Sequence, residues 1–185
     1  WVQDDDDEIN RNEHSVVVQA TFAEGSRTTR ALLGSDVNSD TLTQIVKSTV
    51  RHGNTDRLEW DLLKLFHHCS YKALNVNDRG IDKTTPVSEV KWLIEDQGQD
   101  RSIIVSSSKQ IPTKGSKEDD KQPPHRQAAA YYRPVQSKRR GDFVVTMDKP
   151  KKPARISITA FGVSLSLSSP AVAGSGSTSK TVRSG

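Results

Sequence analysis

The chain has 185 residues, of which 32% are hydrophobic and 27% are charged, and its formal net charge is +4. That length suits one domain with tails, and the low apolar share predicts that part of the chain stays outside the folded core. A single cysteine excludes an internal disulfide, and no apolar run approaches the ~20 residues of a membrane-spanning helix. We therefore expect an intracellular protein. The first residue is Trp1 rather than Met, which predicts a processed or truncated product.

The charges are unevenly distributed along the chain. Residues 1–13 contain six acidic residues against Arg11, and this composition predicts a mobile acidic arm. Residues 133–155 contain eight lysines and arginines against Asp142 and Asp148. A basic region of this density favours binding to an acidic partner.

In chain order, the first predicted elements are two strands and a helix. His14–Phe22 is rich in β-branched residues, and Thr29–Leu33 forms a second short strand after a turn that contains glycine and serine. A helix is predicted over Asp40–Arg51, because its apolar residues recur at helical spacing. Gly53 stands where a helix-terminating glycine is expected.

The central predicted element is a helix over Asp56–Leu74, which has the longest helical apolar pattern in the chain. Asp56 and Glu59 have the spacing of a capping box at its start. The apolar residues that fall on one stripe of this helix are Leu58, Leu62, Leu65, Phe66, Cys69 and Ala73. With the preceding helix it forms a helical pair at the centre of the predicted core.

The next part of the chain is predicted to consist of loops and strands. Asn75–Thr85 is a loop by composition, and Arg101–Ser108 is a strand. Val87–Ile94 fits either a strand or a helix, and we favour a strand. Residues 110–127 contain three prolines and many charges, which predicts a long, exposed and disordered loop.

Two C-terminal strands are predicted at Asp142–Met147 and Ala154–Ser169, joined as a hairpin by the turn sequence DKPKKP. The apolar alternation of the last strand changes phase at Phe161 and Gly162, which predicts a β-bulge. Residues 170–185 are rich in Gly, Ser and Thr and form a flexible tail.

Together these elements predict an α+β fold. A single domain spans residues 14–169, and in it an antiparallel sheet packs against the helical pair. The termini are disordered, and the loop at residues 110–127 interrupts the domain.

No catalytic, metal or cofactor site is predicted. His67, His68 and Cys69 are adjacent, but neighbouring residues on a helix point about 100° apart, so three in a row cannot bind one ion. No acid and base pair can be assigned to one pocket. We therefore expect neither an enzyme nor a small-molecule substrate.

The basic stretch is the strongest candidate for a binding site. Folding the predicted hairpin places two basic clusters at opposite ends of a strand, with Tyr131 and Tyr132 near one of them. The predicted ligands are phosphate backbones or anionic lipid headgroups, and the alternative is an ordinary solvated edge hairpin. The residues predicted to bind nucleic acid or anionic lipid are Arg133, Lys138, Arg139, Arg140, Lys149, Lys151, Lys152 and Arg155.

The order of elements, with PPHRQAAAYYRP before DFVVTM and ARISITAFGVSLSLSS, resembles the matrix proteins of rhabdoviruses. The resemblance covers residues 14–169. Small plant-infecting members are the nearer comparison, because a PPxY motif is missing and the N-terminal arm is acidic rather than basic. The resemblance implies a non-enzymatic structural protein that binds a nucleocapsid or RNA, contacts an anionic membrane surface and self-associates. It also implies a location in the virion and at the inner face of the membrane.

The alternative function is that of a nucleic-acid-binding accessory protein of a virus or its host, such as a silencing or movement factor. Monomeric binding to nucleic acid alone would favour this alternative, whereas self-association with lipid binding would favour the matrix-like function. SKRR followed by KPKK also matches a nuclear-import signal, so a nuclear location is a further prediction.

Overall fold

The computed structural model describes residues 15–119, 121–148 and 153–167. The strands in these ranges are β1 (Val17–Glu24), β2 (Arg27–Gly34), β3 (Trp60–Lys64), β4 (Gly98–Ser106), β5 (Asp142–Val145), β6 (Ala154–Thr159) and β7 (Gly162–Leu167). The helices are α1 (Ser39–Arg51), α2 (Ser88–Glu95) and α3 (Arg126–Lys138). Helices and strands are mixed along the chain, so the predicted α+β class is confirmed. The predicted arm at residues 1–13 and the predicted tail at residues 170–185 lie outside the described residues.

Among the described residues, five strands form one sheet in the order β1–β2–β3–β4–β5. β1 and β2 are antiparallel, whereas β2 and β3, β3 and β4, and β4 and β5 are parallel. A helix lies between the two strands of each parallel pair in the sequence. Such a crossover returns the chain to the same end of the sheet, so the next strand runs in the same direction. The predicted antiparallel sheet is therefore wrong for these three pairs.

The helices share one hydrophobic core with the sheet. Leu63 on β3 and Ile104 on β4 are register partners, and both side chains are fully buried in this core. Leu42 of α1, Leu93 of α2 and Tyr132 of α3 belong to the same core. Full burial of one leucine-sized side chain contributes about 1.5–3 kcal/mol, so this layer is the main source of stability.

The other face of the sheet is covered by a hairpin. Ala31 and Ile103 are buried although they lie outside the helix-facing core. β6 and β7 pair in antiparallel fashion, and β7 lies close to β2, β3 and β4. Thr159 pairs with Gly162, so the two residues between them form a tight turn. The predicted single strand Ala154–Ser169 with a β-bulge is wrong, because the chain reverses direction where the alternation changes phase.

The predicted helix over Asp56–Leu74 is also wrong. This segment contains β3 between short 3₁₀ turns. β3 has parallel neighbours on both sides, and Trp60, Leu63 and Leu65 are all fully buried. A strand buried on both faces has a nearly continuous apolar run, and here that run matched helical spacing by coincidence. The backbone of His67 is left-handed, with φ of +47°, which also interrupts an α-helix.

Two helices differ from the sequence predictions. Val87–Ile94, predicted as a strand, lies almost entirely in α2, whose buried residues form one helical stripe. α3 begins at Arg126, inside the predicted loop 110–127, and contains Pro134. Proline is disfavoured in a helix interior, so it concealed α3 in the sequence. None of the residues 110–119 and 121–125 belongs to a helix or strand.

Other predictions are confirmed. The predicted helix Asp40–Arg51 is α1, and Asn38 caps it by accepting a 2.9 Å hydrogen bond from the backbone N–H of Thr41. Gly53 follows its end with φ of +70°. The remaining predicted strands correspond to β1, β2, β4 and β5. Within the described ranges, every helix is too short or too polar to cross a membrane.

Candidate nucleic-acid interface

The candidate interface starts with α3, whose two faces differ. Ala128, Tyr132 and Gln136 recur every four residues and are buried against the sheet. Arg133 lies beside this stripe and is exposed, as is Lys138 in the last turn. α3 packs against β5, which is an edge strand of the sheet. The helix therefore presents basic side chains along an open edge.

A groove of about 370 Å³ runs between α3 and β5, and we call it the α3–β5 groove. Its lining residues are Arg133, Gln136, Ser137, Arg140, Gly141, Phe143, Val145 and Asp148. The Phe143 ring stacks on Tyr132, with 6.5 Å between ring centroids and an interplanar angle of 19°. The guanidinium carbon of Arg133 lies 5.5 Å from the centroid of the Phe143 ring. The groove thus combines two arginines with an aromatic ring, the residue types that bind phosphates and stack on bases.

The structure brings together only part of the predicted basic set. Arg133 and Arg140 meet in the α3–β5 groove, and Lys138 is exposed on α3 outside the groove lining. Three of the predicted residues lie outside the described part of the chain: Lys149, Lys151 and Lys152.

The predicted basic hairpin is wrong. β5 pairs with β4 and β6 pairs with β7, so the strands predicted to form one hairpin belong to different sheets. The physical reason is the crossover through α3, which places β5 parallel to β4 at the edge of the larger sheet. Arg155 is exposed on β6, away from the α3–β5 groove.

Arg139 is turned into the protein and does not belong to the groove. Its residue is 9% exposed, and its guanidinium carbon lies 5.4 Å from the centroid of a Trp60 ring. Its Nη2 donates a hydrogen bond to the backbone carbonyl of Glu95. Burial lowers the pKa of the Arg139 guanidinium. Arg139 therefore joins the end of α3 to α2 and β3, and it is not free to bind a phosphate.

Arg140 remains accessible because it follows the helix end in a left-handed conformation, with φ of +57°. Its Nη2 lies 3.1 Å from Asp100 Oδ2, and both side chains are at least 69% exposed. An exposed ion pair of this kind contributes little to stability, since water and salt screen it. A phosphate can therefore replace Asp100 as the partner of Arg140.

A second polar cluster lies at the carboxyl ends of the parallel strands, the edge where ligands bind in many sheets of this kind. We call Asp36, His68 and Ser107 the carboxyl-edge cluster. His68 Nε2 lies 3.3 Å from Asp36 Oδ1, and His68 Nδ1 lies 2.6 Å from the Ser107 carbonyl oxygen. Ser107 Oγ is 3.4 Å from the same Nδ1. A cleft of about 790 Å³ opens beside His68 and Ser107.

These are the residue types of a hydrolase triad, but their hydrogen bonding does not support that chemistry. A carbonyl oxygen can only accept, so His68 Nδ1 carries a hydrogen and donates it to the Ser107 carbonyl. Nδ1 then has no lone pair with which to take the proton of the Ser107 hydroxyl, as a general base must. The cluster joins the segments that follow β2, β3 and β4 instead.

The adjacent cysteine is equally unsuited to catalysis. Cys69 is fully buried, and burial raises the pKa of its thiol to about 12. The thiol is therefore protonated at neutral pH and is a poor nucleophile. Within the described ranges, no group of three or more His, Cys, Asp or Glu side chains could hold a metal ion.

Comparison of the chain with protein-family models, curated proteins and solved structures finds no match. The resemblance to rhabdovirus matrix proteins therefore stays a prediction.

The sequence did not reveal the uncharged residues of the interface, in particular Phe143. A signal for the groove was nevertheless present. Arg133 and Ser137 are four residues apart, which places them on one helical face. Recognising α3 would have grouped Arg133 with Ser137, whereas the position of Arg140 depends on the left-handed turn that follows the helix.

Proposed function

We propose that this protein is a non-enzymatic interaction protein that binds single-stranded RNA in the α3–β5 groove. The observation that carries this proposal is the position of Arg133 and Arg140 in one groove with Phe143. Guanidinium groups bind phosphates through paired N–H donors, and bases stack on aromatic rings and on guanidinium planes. Arg133 already lies over Phe143, so a base can extend that stack while Arg140 contacts the backbone.

The shape of the site favours a nucleic-acid strand over a membrane. The described arginines of the predicted set do not share one flat face, because Arg139 is buried and Arg155 lies on the hairpin. A groove of about 370 Å³ admits a flexible strand, whereas a planar lipid surface cannot follow it. Ligand contacts of this type go mainly to phosphates, so base sequence should have little effect on affinity.

A matrix-like role is the broader form of this proposal, since it adds membrane binding and self-association. Edge strand β1 favours self-association, because Val16, Val18 and Phe22 are 62%, 49% and 44% exposed beside or within it. An edge strand with exposed apolar residues can pair with a second copy. A monomer that binds RNA alone would instead fit a silencing or movement factor.

The test is the salt dependence of RNA affinity, measured by fluorescence anisotropy with a short single-stranded RNA. Two lost phosphate contacts should reduce the slope of log affinity against log salt by about 1.4, so R133Q/R140Q should show this reduction. The matched control is R57Q/R155Q, which removes the same charge from exposed arginines outside the groove. The proposal fails if both double variants bind RNA as the unaltered chain does. Co-sedimentation with phosphatidylserine vesicles then tests whether the protein also binds membranes, as the matrix-like role requires.

A further inference from the structure

We propose that the acidic segment Asp4–Glu8 of the same chain docks in the α3–β5 groove and competes with RNA for it. This inference rests on the proposed function, and it assigns a regulator to the same site. The segment consists of four aspartates and one glutamate in succession. The groove is the place in the described structure where two exposed arginines line one depression at an open sheet edge.

The charges of the segment and of the groove are complementary. Arg133 and Arg140 line the groove with a single carboxylate, that of Asp148, while Asp142 and Asp100 are exposed beside it. Carboxylates bind guanidinium groups through two parallel hydrogen bonds, in the same geometry that a phosphate uses. Arg140 can exchange its exposed partner Asp100 for such a carboxylate at little cost. One pair of arginines therefore recognises either the acidic segment or a phosphate backbone.

The connecting chain is long enough for docking within one molecule. Val17 pairs with Gly34, so β1 begins at the sheet edge where β2 ends, and β5 ends at that edge as well. Four strand spacings separate β1 from β5, which is ~19 Å at about 4.8 Å each. The seven residue steps from Glu8 to Ser15 can span up to about 23 Å. Glu8 can therefore reach the Val145 end of the groove.

The length of the segment also matches the groove. From Asp4 to Glu8 an extended chain covers ~13 Å, and the four residues of β5 cover ~10 Å. With Glu8 near Val145, Asp4 lies near Arg140 at the start of β5. In this position the segment runs along the open edge of β5, whose outer backbone groups can pair with an extended chain.

The first experiment measures groove occupancy without RNA. Backbone and arginine Nε–H signals of the full chain are compared by NMR with those of D4N/D5N/D6N/D7N/E8Q. We expect the signals of Arg133, Arg140 and Phe143 to shift, while those of Arg155 stay in place. The shifts should not change when the protein is diluted tenfold. Unchanged groove signals would overturn the proposal, and shifts that disappear on dilution would assign the segment to a second copy instead.

The second experiment measures competition. If the segment occupies the groove for most of the time, neutralising it should tighten RNA binding by about 3- to 10-fold at low salt. The gain should disappear in the R133Q/R140Q background, because the groove then attracts neither ligand. An equal gain in both backgrounds would show general charge repulsion and would overturn competition at the groove. If NMR shows docking but no RNA binds, the proposed function fails while the docking stands.

Discussion

The α3–β5 groove and the carboxyl-edge cluster both gather polar side chains at the periphery of the sheet, yet they differ in what those side chains can do. His68 has both ring nitrogens directed at oxygen acceptors within the protein. Arg133 instead lies over Phe143, and Arg140 has only an exposed ion pair. The His68–Asp36 contact is itself partly exposed, so the hydrogen bond from His68 Nδ1 to the Ser107 carbonyl is what holds two segments of the fold together, whereas a loosely held charge is available to a ligand. Changes at the carboxyl edge should therefore affect stability, and changes in the groove should affect binding.

The largest loss of stability should come from truncating an apolar side chain next to the carboxyl-edge cluster. Phe66→Ala should reduce the free energy of unfolding by about 3–5 kcal/mol, because Phe66 is fully buried and its removal leaves a cavity. Its ring packs so closely against Gly34 that a Cβ at that position would clash with the ring. Urea denaturation measures the loss.

Leu62→Ala is the control, since Leu62 is only half-buried on β3. Its loss of stability should be clearly smaller than that of Phe66→Ala. Equal losses for the two variants would contradict the burial that separates them.

The next largest effect distinguishes Arg139, which should affect stability, from Arg133, which should affect RNA binding, although the two are only six positions apart in the sequence. Arg139→Gln should reduce the free energy of unfolding by about 2–3 kcal/mol, because it removes a stacking contact with Trp60 and a charged hydrogen bond to Glu95. Arg133→Gln should change stability little and should weaken RNA binding instead. Thermal denaturation and anisotropy on the same two variants check the contrast. The reverse assignment of the two effects would refute the proposed division between fold and groove.

The smallest effect should be that of Ser107→Ala, below about 0.5 kcal/mol in the free energy of unfolding. The reason is that the backbone carbonyl of Ser107, not its hydroxyl, accepts the short hydrogen bond from His68. His68→Ala should cost more, because it disconnects Asp36 from Ser107. Chemical denaturation compares the two variants. A cost for Ser107→Ala equal to that for His68→Ala would mean that the hydroxyl carries the contact.

Part of the fold and of the site follows from local sequence. α1 was predictable because its apolar residues keep helical spacing and Gly53 marks its end. The edge strands β1 and β5 were predictable from β-branched residues. The basic composition of residues 133–155 pointed to Arg133 and Arg140. These signals depend on neighbours within a few positions, so the sequence alone displays them.

The tertiary structure decided the rest. Trp60–Lys64 became a central strand because parallel neighbours flank both of its edges, while the helices and the β6–β7 hairpin cover its two faces, a condition that no local pattern contains. Parallel pairing in turn placed β5 beside β4 and separated it from β6. The adjacent residues Arg139 and Arg140 have the same charge, yet the left-handed turn after α3 buries the first and exposes the second. Composition determined that this region is basic, and packing determined which arginines remain free, because burial depends on contacts with residues distant in the sequence.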